Sequence, residues 1–263
     1  MDKVVIVTGG SSGIGLETAR ALAAKGCRVY EFSRREASFD FMNHIRCDIS
    51  DAAQVKSAVD AVAAQAGRID ILINNAGFGI SGAVEFTAEE DARRLMDVNL
   101  FGMNNAIRAV LPHMRRQGAG RIVNLSSVAG VLPIPFQAWY SISKAAVNAL
   151  TMALANEVHP YGVSVCCVMP GDIKTGFTAA RKKSIAGDDV YGGRIERSVS
   201  RMEKDEQSGM DPAFAGRFIA KLALKKRVSP YNTIGFMYKC CVLLSKILPG
   251  RLIRFILYLM YAK

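Results

Sequence analysis

The fold of this chain follows from residues 4–15, which read VVIVTGGSSGIG. The four apolar residues at the start are typical of a short buried strand, and a helical pattern begins at Leu16. Glycines between the two let a backbone approach a pyrophosphate, and the N-terminus of the following helix favours its negative charge. The stretch therefore predicts a strand, a phosphate-binding turn and a helix.

The same alternation of strand and helix continues along the chain. Further elements are predicted as strands at 28–32, 45–47, 71–73, 121–125, 163–169 and 231–234, with helices at 51–66 and 89–117. Strands that alternate with helices build a parallel, doubly wound sheet. We therefore expect an α/β fold with about seven strands and helices on both faces of the sheet.

Composition narrows the class of protein. A chain of 263 residues, half of them hydrophobic and 22% charged, suits a globular protein with a substantial core. The first apolar run leads directly into structure and not into a cleavage site, so we expect no signal peptide and a cytoplasmic protein. The six cysteines have no zinc-type spacing; we expect reduced thiols and no metal ion.

The net charge of +11 is concentrated at the C-terminal end of the chain. Residues 212–263 contain ten basic residues and no acidic one. Such asymmetry points to a membrane surface, a nucleic acid or an anionic ligand. Leu, Ile and Met fill this segment where a nucleic-acid-binding surface would carry polar residues, so we expect no nucleic acid as a partner.

A second run brings reactive side chains together. Tyr140 and Lys144 are four residues apart in a segment rich in helix formers, so they lie on one face of a helix. The charge of Lys144 is expected to lower the pKa of the Tyr140 phenol from about 10, so that it exchanges protons near neutral pH. Ser127 follows the strand at 121–125, where its hydroxyl can hold a carbonyl or alcohol oxygen. A Tyr and a Lys at this spacing also occur on ordinary surface helices, so the pair gains its meaning from the other motifs.

Taken together and in this order, the motifs resemble the short-chain dehydrogenase/reductase family. The match extends over residues 3 to about 176. It rests on the glycine spacing G-x-x-x-G-x-G, the tetrapeptide at 74–77 (Asn-Asn-Ala-Gly), the Tyr-x-x-x-Lys pair and Pro170-Gly171. The resemblance implies a Rossmann-type fold and an oxidoreductase. It implies that the catalytic residues are Asn99, Ser127, Tyr140 and Lys144, with Asn99 distorting its helix and holding a water in a proton relay.

The resemblance also implies a nicotinamide cofactor. NAD-preferring members carry an acid where this chain has Ser33, and the following Arg34 suits the 2′-phosphate of NADP. Glu31 is the nearby acid that argues for NAD instead, and His44 is interpreted as a surface residue. We expect NADP(H), bound by Gly9, Ser11, Ser12, Gly13, Ile14, Gly15, Ser33, Arg34, Asp48, Asn75, Ala76, Gly77, Tyr140, Lys144, Pro170, Gly171, Ile173 and Thr175.

Beyond residue 175 the resemblance weakens. We expect a single domain over 1–263, with a cofactor-binding and catalytic core at 1–175, a substrate lid at 176–210 and a C-terminal extension at 231–263. Four basic residues recur at helical spacing within the lid: Arg194, Arg197, Arg201 and Lys204. They suit either a clamp on an anionic substrate or, as the neighbouring acids favour, a solvated helix face.

The C-terminal extension permits two interpretations. No charge-free run approaches the ~20 apolar residues of a spanning helix. Residues 251–263 instead predict a very apolar helix with a narrow basic and aromatic stripe. The extension either makes peripheral membrane contact through 236–263, or covers a large apolar pocket or forms a dimer contact. We expect a homodimer or homotetramer, although the chain lacks the Val-x-Gly-Gly-like ending that builds a tetramer interface in many family members.

The substrate is inferred from the apolar residues near Tyr140. The run 131–136, with Trp139 and Phe78, favours a bulky lipophilic substrate such as a steroid, bile acid, retinoid or keto lipid. Within the family, the Ser-Arg turn and apolar tail most resemble the hydroxysteroid and retinol dehydrogenase branch. The expected reaction interconverts a ketone and a secondary alcohol. The alternative enzyme is a 3-ketoacyl thioester reductase. The alternative that is not an enzyme is a protein that senses NADP(H) or acts as a scaffold; such proteins usually lack one or more of the four catalytic residues.

Overall fold

A computed structural model describes residues 2–263 of the chain. One sheet of seven parallel strands runs through it: β1 (Val4–Thr8), β2 (Arg28–Ser33), β3 (Asn43–Arg46), β4 (Ile71–Asn74), β5 (Gly120–Leu125), β6 (Val163–Pro170) and β7 (Tyr231–Ile234). The order across the sheet is β3-β2-β1-β4-β5-β6-β7. The predicted doubly wound parallel sheet is therefore confirmed.

The chain also forms α-helices, several of which cover the two faces of this sheet. They are α1 (Gly13–Ala23), α2 (Ala52–Ala66), α3 (Glu89–Met96), α4 (Met103–Gln117), α5 (Ala138–Val158), α6 (Phe177–Ala180), α7 (Arg194–Gln207), α8 (Pro212–Ala223), α9 (Phe236–Leu244) and α10 (Gly250–Tyr261). A π-helical segment, Asp97–Gly102, joins α3 to α4, so the helix predicted over 89–117 is continuous but distorted. A separate two-stranded ladder pairs Ile80–Ser81 with Lys182–Lys183.

The alternation of side chains along β1 creates two apolar layers. All five residues of the strand are buried. Ile6 packs with the layer built from α2, α4 and α5, whereas Val5 and Val7 pack with the layer that contains α1 and α8. Because successive side chains of a strand point to opposite faces, one continuous apolar run supplies both layers.

The C-terminal helices lie outside these two layers. Val242 of α9 packs against Cys167 and Met169 of β6, and Tyr261 of α10 packs against the buried face of α7. Between them, α9 and α10 leave many large apolar side chains exposed to solvent. No helix within residues 2–263 combines the length and the apolar character that crossing a bilayer requires.

Candidate active site

A cleft of about 1100 Å³ opens at the carboxyl end of the sheet. It lies where the strand order reverses, because the chain adds β2 and β3 on one side of β1 and the later strands on the other. In open parallel sheets such a switch point leaves a crevice between the loops. The predicted site residues line this cleft, except Gly15 and Asn99, which lie behind it.

The glycine-rich turn packs directly against the loop that follows β4. Gly9 has a φ of +65°, and a Cβ there would lie 2.8 Å from the Cα of Ala76. Asn75 Nδ2 donates hydrogen bonds to the carbonyls of Thr8 and Gly9, at 3.1 and 2.9 Å. A Cβ on Gly15 would come within 2.3 Å of the Gly9 carbonyl oxygen, so Gly15 supports the turn from beneath.

The N-terminus of α1 is open towards the cleft. Helix α1 begins at Gly13, and the side chain of its N-cap residue, Ser12, makes no hydrogen bond to the first turn. The first N–H groups of a helix have no partner within the helix, and the helix dipole adds a partial positive charge. Ser11 and Ile14 line the cleft beside them. This geometry fits the pyrophosphate of a dinucleotide.

The acid near the end of β2 does not face the cleft. Glu31 is fully buried beneath Gly10, where an added Cβ would lie 2.6 Å from Glu31 Cγ. Its Oε2 accepts a hydrogen bond from Ser33 Oγ at 3.1 Å and lies 2.6 Å from His44 Nδ1. The prediction that His44 is a surface residue is wrong: its side chain is only 10% exposed, because it covers Glu31. Ser33 and Arg34, in contrast, line the cleft.

The other predicted cofactor residues stand on two sides of the cleft. On one side, Asp48 Oδ1 accepts a hydrogen bond from Ser50 Oγ at 2.7 Å, and Arg94 Nη2 lies 3.4 Å from Asp48 Oδ2. On the other side, Thr175 faces the glycine-rich turn, since a Cβ on Gly13 would lie 3.5 Å from it. The cleft thus extends from the end of β3 to the loop after β6.

The structure brings three of the predicted catalytic side chains together. Helix α5 carries Tyr140 and Lys144, and Lys144 Nζ lies 5.6 Å from the centroid of the Tyr140 ring. Lys144 Nζ donates a 2.8 Å hydrogen bond to the carbonyl of Leu125, the last residue of β5. Just beyond it, Ser127 Oγ accepts a hydrogen bond from the Ala129 N–H at 3.1 Å and caps a short turn.

Burial governs the protonation of both α5 side chains. It raises the pKa of Tyr140 to about 12, although the nearby Ser127 hydroxyl acts in the opposite direction. It lowers the pKa of Lys144 to about 8, because burying an ammonium charge is costly. The lower Tyr140 pKa expected from the Lys144 charge is therefore not found. At neutral pH the phenol keeps its proton, which is the form that can donate to a carbonyl oxygen.

Asn99 lies behind the cleft, within the π-helical segment that joins α3 to α4. Such segments interrupt the regular hydrogen-bond ladder and recur at functional sites. Asn99 Nδ2 donates to the Phe78 carbonyl at 2.9 Å and to Ser143 Oγ at 3.2 Å, and its Oδ1 accepts from the Phe78 N–H at 3.0 Å. A Cβ on Gly77 would lie 2.9 Å from Asn99 Oδ1, so this contact requires glycine. The helix distortion is present, while the role in holding a water stays a prediction.

A polar cluster beside Tyr140 was not predicted from the sequence. The Phe177 ring lies 5.6 Å from the Tyr140 ring, and the Arg181 guanidinium lies 5.6 Å from the Phe177 centroid. Arg181 is buried and forms an ion pair with Glu206, which also accepts a 2.6 Å hydrogen bond from Thr178 Oγ1. Arg181 and Glu206 are far apart in sequence, so no spacing rule could have paired them.

Of the residues predicted to contact the substrate, only three line the cleft, and Phe78 is one of them. Leu132 and Ile134 line the cleft. Phe136, at a φ of +58°, instead packs its ring against Tyr191 with 5.5 Å between centroids. Trp139 is not among the lining residues either.

The four basic residues of α7 form a solvated face, the interpretation that the sequence favours. Arg201 pairs with Asp205 at 3.0 Å, and Arg197 donates to the Gly192 carbonyl at 3.1 Å. All four lie outside the lining of the cleft.

The C-terminal helices form the apolar wall of the cleft. The Tyr238 ring packs over Gly171, where a Cβ would lie 2.3 Å from the ring. Its hydroxyl donates a 2.6 Å hydrogen bond to Asp172 Oδ2. Apolar lining comes from α9, α10 and the link between them: Leu244, Leu248, Ile253, Ile256, Leu257 and Met260. The inner side of the extension therefore covers the cleft.

Comparison with known proteins identifies the family. A family model described as short chain dehydrogenase matches residues 3–186. The chain belongs to the short-chain dehydrogenase/reductase family. It is 39% identical to a 3-ketodihydrosphingosine reductase from Bacteroides thetaiotaomicron, over 99% of this chain and 98% of that protein. It is 31% identical to VdlC, a short-chain type dehydrogenase/reductase from Helicobacter pylori, over 94% and 93%. A short-chain dehydrogenase from Streptomyces avermitilis has a TM-score of 0.84 and 32% identity, over 94% and 92%.

As a short-chain dehydrogenase/reductase, the protein is an oxidoreductase that acts on C=O and CH–OH groups with NAD or NADP. The residues of the cleft fit such a dinucleotide. Gly9 and Gly15 let the glycine-rich turn pack closely against Ala76 and Asn75, and the open N-terminus of α1 lies beside this turn.

Proposed function

We propose that this short-chain dehydrogenase/reductase uses NADP(H) to interconvert a ketone and a secondary alcohol on a long-chain keto lipid. The observation that carries the proposal is that one cleft joins Tyr140 to the apolar wall of α9 and α10. The Bacteroides relative is named for 3-ketodihydrosphingosine, a keto lipid. Steroids, bile acids and retinoids suit the same apolar wall, so they belong in the test.

In this proposal four side chains divide the work. Tyr140 donates its phenolic proton to the carbonyl oxygen during reduction and recovers one during oxidation. Ser127 holds that oxygen, Lys144 binds the ribose and stabilises the phenolate, and Asn99 anchors a relay water. When bound in the cleft, NADPH would supply the hydride to the carbonyl carbon. The raised pKa of Tyr140 favours the donor form in the resting protein.

The preference for NADP(H) is supported by the end of β2. Arg34 lines the cleft directly after β2, and a guanidinium suits the 2′-phosphate of NADP through charge-assisted hydrogen bonds. The side chain of Glu31, the acid that would favour NAD, is buried in the protein interior beneath Gly10. No acidic side chain from β2 therefore faces the ribose position.

Residues 176–210 are proposed to act as a substrate lid. Phe177 of this segment packs on Tyr140, and the ion pair between Arg181 and Glu206 fastens α6 to α7 beside it. Movement of this segment would open the reacting end of the cleft without disturbing the sheet.

The outer face of the C-terminal extension is proposed to rest on an anionic membrane surface. Phe236 is 83% exposed and Ile247 is 69% exposed, which is unusual for large apolar side chains. Lys246, Arg251 and Arg254 stand exposed among them. Apolar area together with positive charge matches a bilayer that contains anionic lipid. This contact would place the apolar wall of the cleft next to a source of lipid substrate.

Vesicle co-sedimentation tests the membrane contact. The full-length protein should sediment with vesicles of phosphatidylcholine and phosphatidylserine and much less with phosphatidylcholine alone. A triple variant at Lys246, Arg251 and Arg254, each changed to Gln, should lose most of this binding. The matched control changes Arg108, Arg115 and Arg116 of α4 to Gln. Equal sedimentation of both variants and the wild type would contradict the proposal.

We also propose that the protein is a homodimer or homotetramer. Phe101 in the π-helical segment and Ile142 of the adjacent α5 are exposed apolar residues on neighbouring elements. Sedimentation velocity of the purified protein tests this, and a single monomeric species at all concentrations would contradict it.

The reaction is tested by following NADPH and NADH oxidation at 340 nm with a panel of ketones. The panel holds a long-chain keto lipid, a ketosteroid, an oxo-bile acid, retinal and an acetoacetyl thioester. Turnover of the keto lipid with NADPH preferred supports the proposal. Turnover of the thioester alone would support a 3-ketoacyl thioester reductase. Tight NADPH binding without turnover of any compound would favour a sensing or scaffold role, against which the presence of all four predicted catalytic residues argues.

A further inference from the structure

Asp172 is an acid at the reacting end of the cleft for which residues 2–263 provide no ion pair. It lines the cleft directly after β6 and Gly171. Its Oδ2 accepts a hydrogen bond from the Tyr238 hydroxyl at 2.6 Å. Among residues 2–263, the ion pairs within 4.0 Å include none to this carboxylate, although pairs to Glu206 and Asp205 are present.

The neighbouring acids are each paired with an arginine. Glu206 is paired with the buried Arg181 guanidinium, and Asp205 is paired with Arg201. Partial burial raises the pKa of the Asp172 carboxyl, and the charges of Glu206 and Asp205 add to this, while the hydrogen bond from Tyr238 and the more distant Arg181 charge act in the opposite direction. A partly buried carboxylate attracts a cation placed against it strongly, because solvent screens their electrostatic attraction only weakly there.

The polarity of the cleft changes along its length. Asp172, Glu206 and Tyr140 line one part, and Asp172 and Glu206 are close enough to Tyr140 to raise its pKa. The wall supplied by α9 and α10 is apolar. A ligand that matches both parts carries a positive charge near its carbonyl group and a long hydrocarbon chain beyond it.

We propose that Asp172 binds the protonated amine of an amino ketone, so that the substrate class is a long-chain ketone with an amino group next to the carbonyl carbon. This inference rests on the proposed keto-lipid reductase function and sharpens it. A charge-assisted hydrogen bond from the ammonium to the free carboxylate oxygen would fix the carbonyl beside Tyr140. The alkyl chain would then lie along α9 and α10.

Asp172 also has a structural contact, and the test must separate the two roles. Its hydrogen bond with Tyr238 helps to hold α9 over the cleft. Asp172→Asn removes the charge but keeps an oxygen that can accept from Tyr238. Tyr238→Phe does the opposite, since it removes the hydrogen bond and keeps the charge. The matched charge control is Glu196→Gln, an exposed residue of α7 outside the lining.

The kinetic test compares two ketones of equal chain length, one with the adjacent amine and one without it. The ratio of their kcat/KM values should fall at least about tenfold in Asp172→Asn, mainly through the KM of the amino ketone. The ratio should stay near the wild-type value in Tyr238→Phe and Glu196→Gln. A ratio that Asp172→Asn leaves unchanged, or that Tyr238→Phe lowers equally, would overturn the inference.

A binding test decides the inference even if no ketone is reduced. Titration calorimetry with the wild-type protein compares a long-chain 2-amino-3-alcohol with its N-acetyl derivative and with the alcohol that lacks nitrogen. The free amine should bind at least about tenfold more tightly than either. Because the charge is removed from the ligand, this arm does not depend on the folding of a variant. Equal affinities would overturn the amine site, whereas failure of turnover with tight amine binding would count against the reductase function alone.

Discussion

The strands of the sheet and the C-terminal helices are both rich in apolar residues but lie in opposite environments. Every residue of β1 is buried, whereas α10 contains no buried residue. The apolar side chains of the sheet are buried between two layers of helices. The extension turns one side to the cleft and leaves the other side to solvent. The sheet and its helix layers are therefore held by packing within the chain, whereas the C-terminal extension offers apolar surface to other molecules.

This contrast predicts different kinds of failure. Substitutions in the strand ends and α5 should affect every substrate, because they change the chemistry. Substitutions in α9 and α10 should affect only substrates long enough to reach them.

The largest effect is expected for Tyr140→Phe. Loss of the phenolic proton should lower kcat roughly a thousandfold, within the range for general acid catalysis. NADPH affinity, measured by fluorescence titration, should change little. Tyr161→Phe, an exposed tyrosine, is the control. Retention of a substantial fraction of kcat would refute the role of Tyr140 for all substrates at once.

Polar substitutions on the inner side of α10 should come next. Ile253→Asn with Leu257→Asn should raise the KM of a long-chain ketone about tenfold, since each buried CH₂ contributes about 0.8 kcal/mol. The KM of a short ketone should stay within about twofold. Leu252→Asn, on the outer side, is the control. An equal rise in KM for short and long ketones would contradict the prediction that the extension contacts only long substrates.

A smaller effect is expected at the end of β2. Arg34→Ala should lower the preference for NADPH over NADH about tenfold, because one charge-assisted contact to the 2′-phosphate is lost. The ratio of kcat/KM values for the two cofactors measures it. Arg46→Ala removes a nearby exposed charge outside the cleft and should leave the ratio unchanged. A preference for NADH in the wild type would show that Arg34 does not select the cofactor.

The pH dependence should show the smallest change. The pKa of Lys144 lies near 8, so the ammonium is charged below that pH and neutral above it. The kcat/KM for NADPH, which reports groups of the free protein, should be constant below about pH 8 and fall severalfold at higher pH. A profile that stays flat through this range would indicate that Lys144 keeps its proton or that its charge is not needed.

The sequence predicted the sheet because strand-forming runs, glycine turns and amphipathic helices are local signals. Residues 4–15 form the predicted strand, turn and helix, and the order of the motifs placed the cleft at the strand ends. The distortion at Asn99 followed from the family resemblance and is present as a π-helical segment.

Local signals failed where the environment is set by distant residues. The direction of the Tyr140 pKa depends on how deeply the ring is buried, which the spacing of Tyr140 and Lys144 does not contain. His44 looked exposed because its partner, Glu31, lies on the neighbouring strand.

The sequence by itself determined the family and the fold and predicted the reactive groups, because these depend on motifs read along the chain. Only the tertiary structure decided that α9 and α10 cover the cleft, that Arg181 pairs with Glu206, and that Asp172 forms no ion pair with any of residues 2–263. Charge balance and burial depend on distances between residues far apart in sequence. A carboxylate is paired or unpaired only once the chain has folded around it.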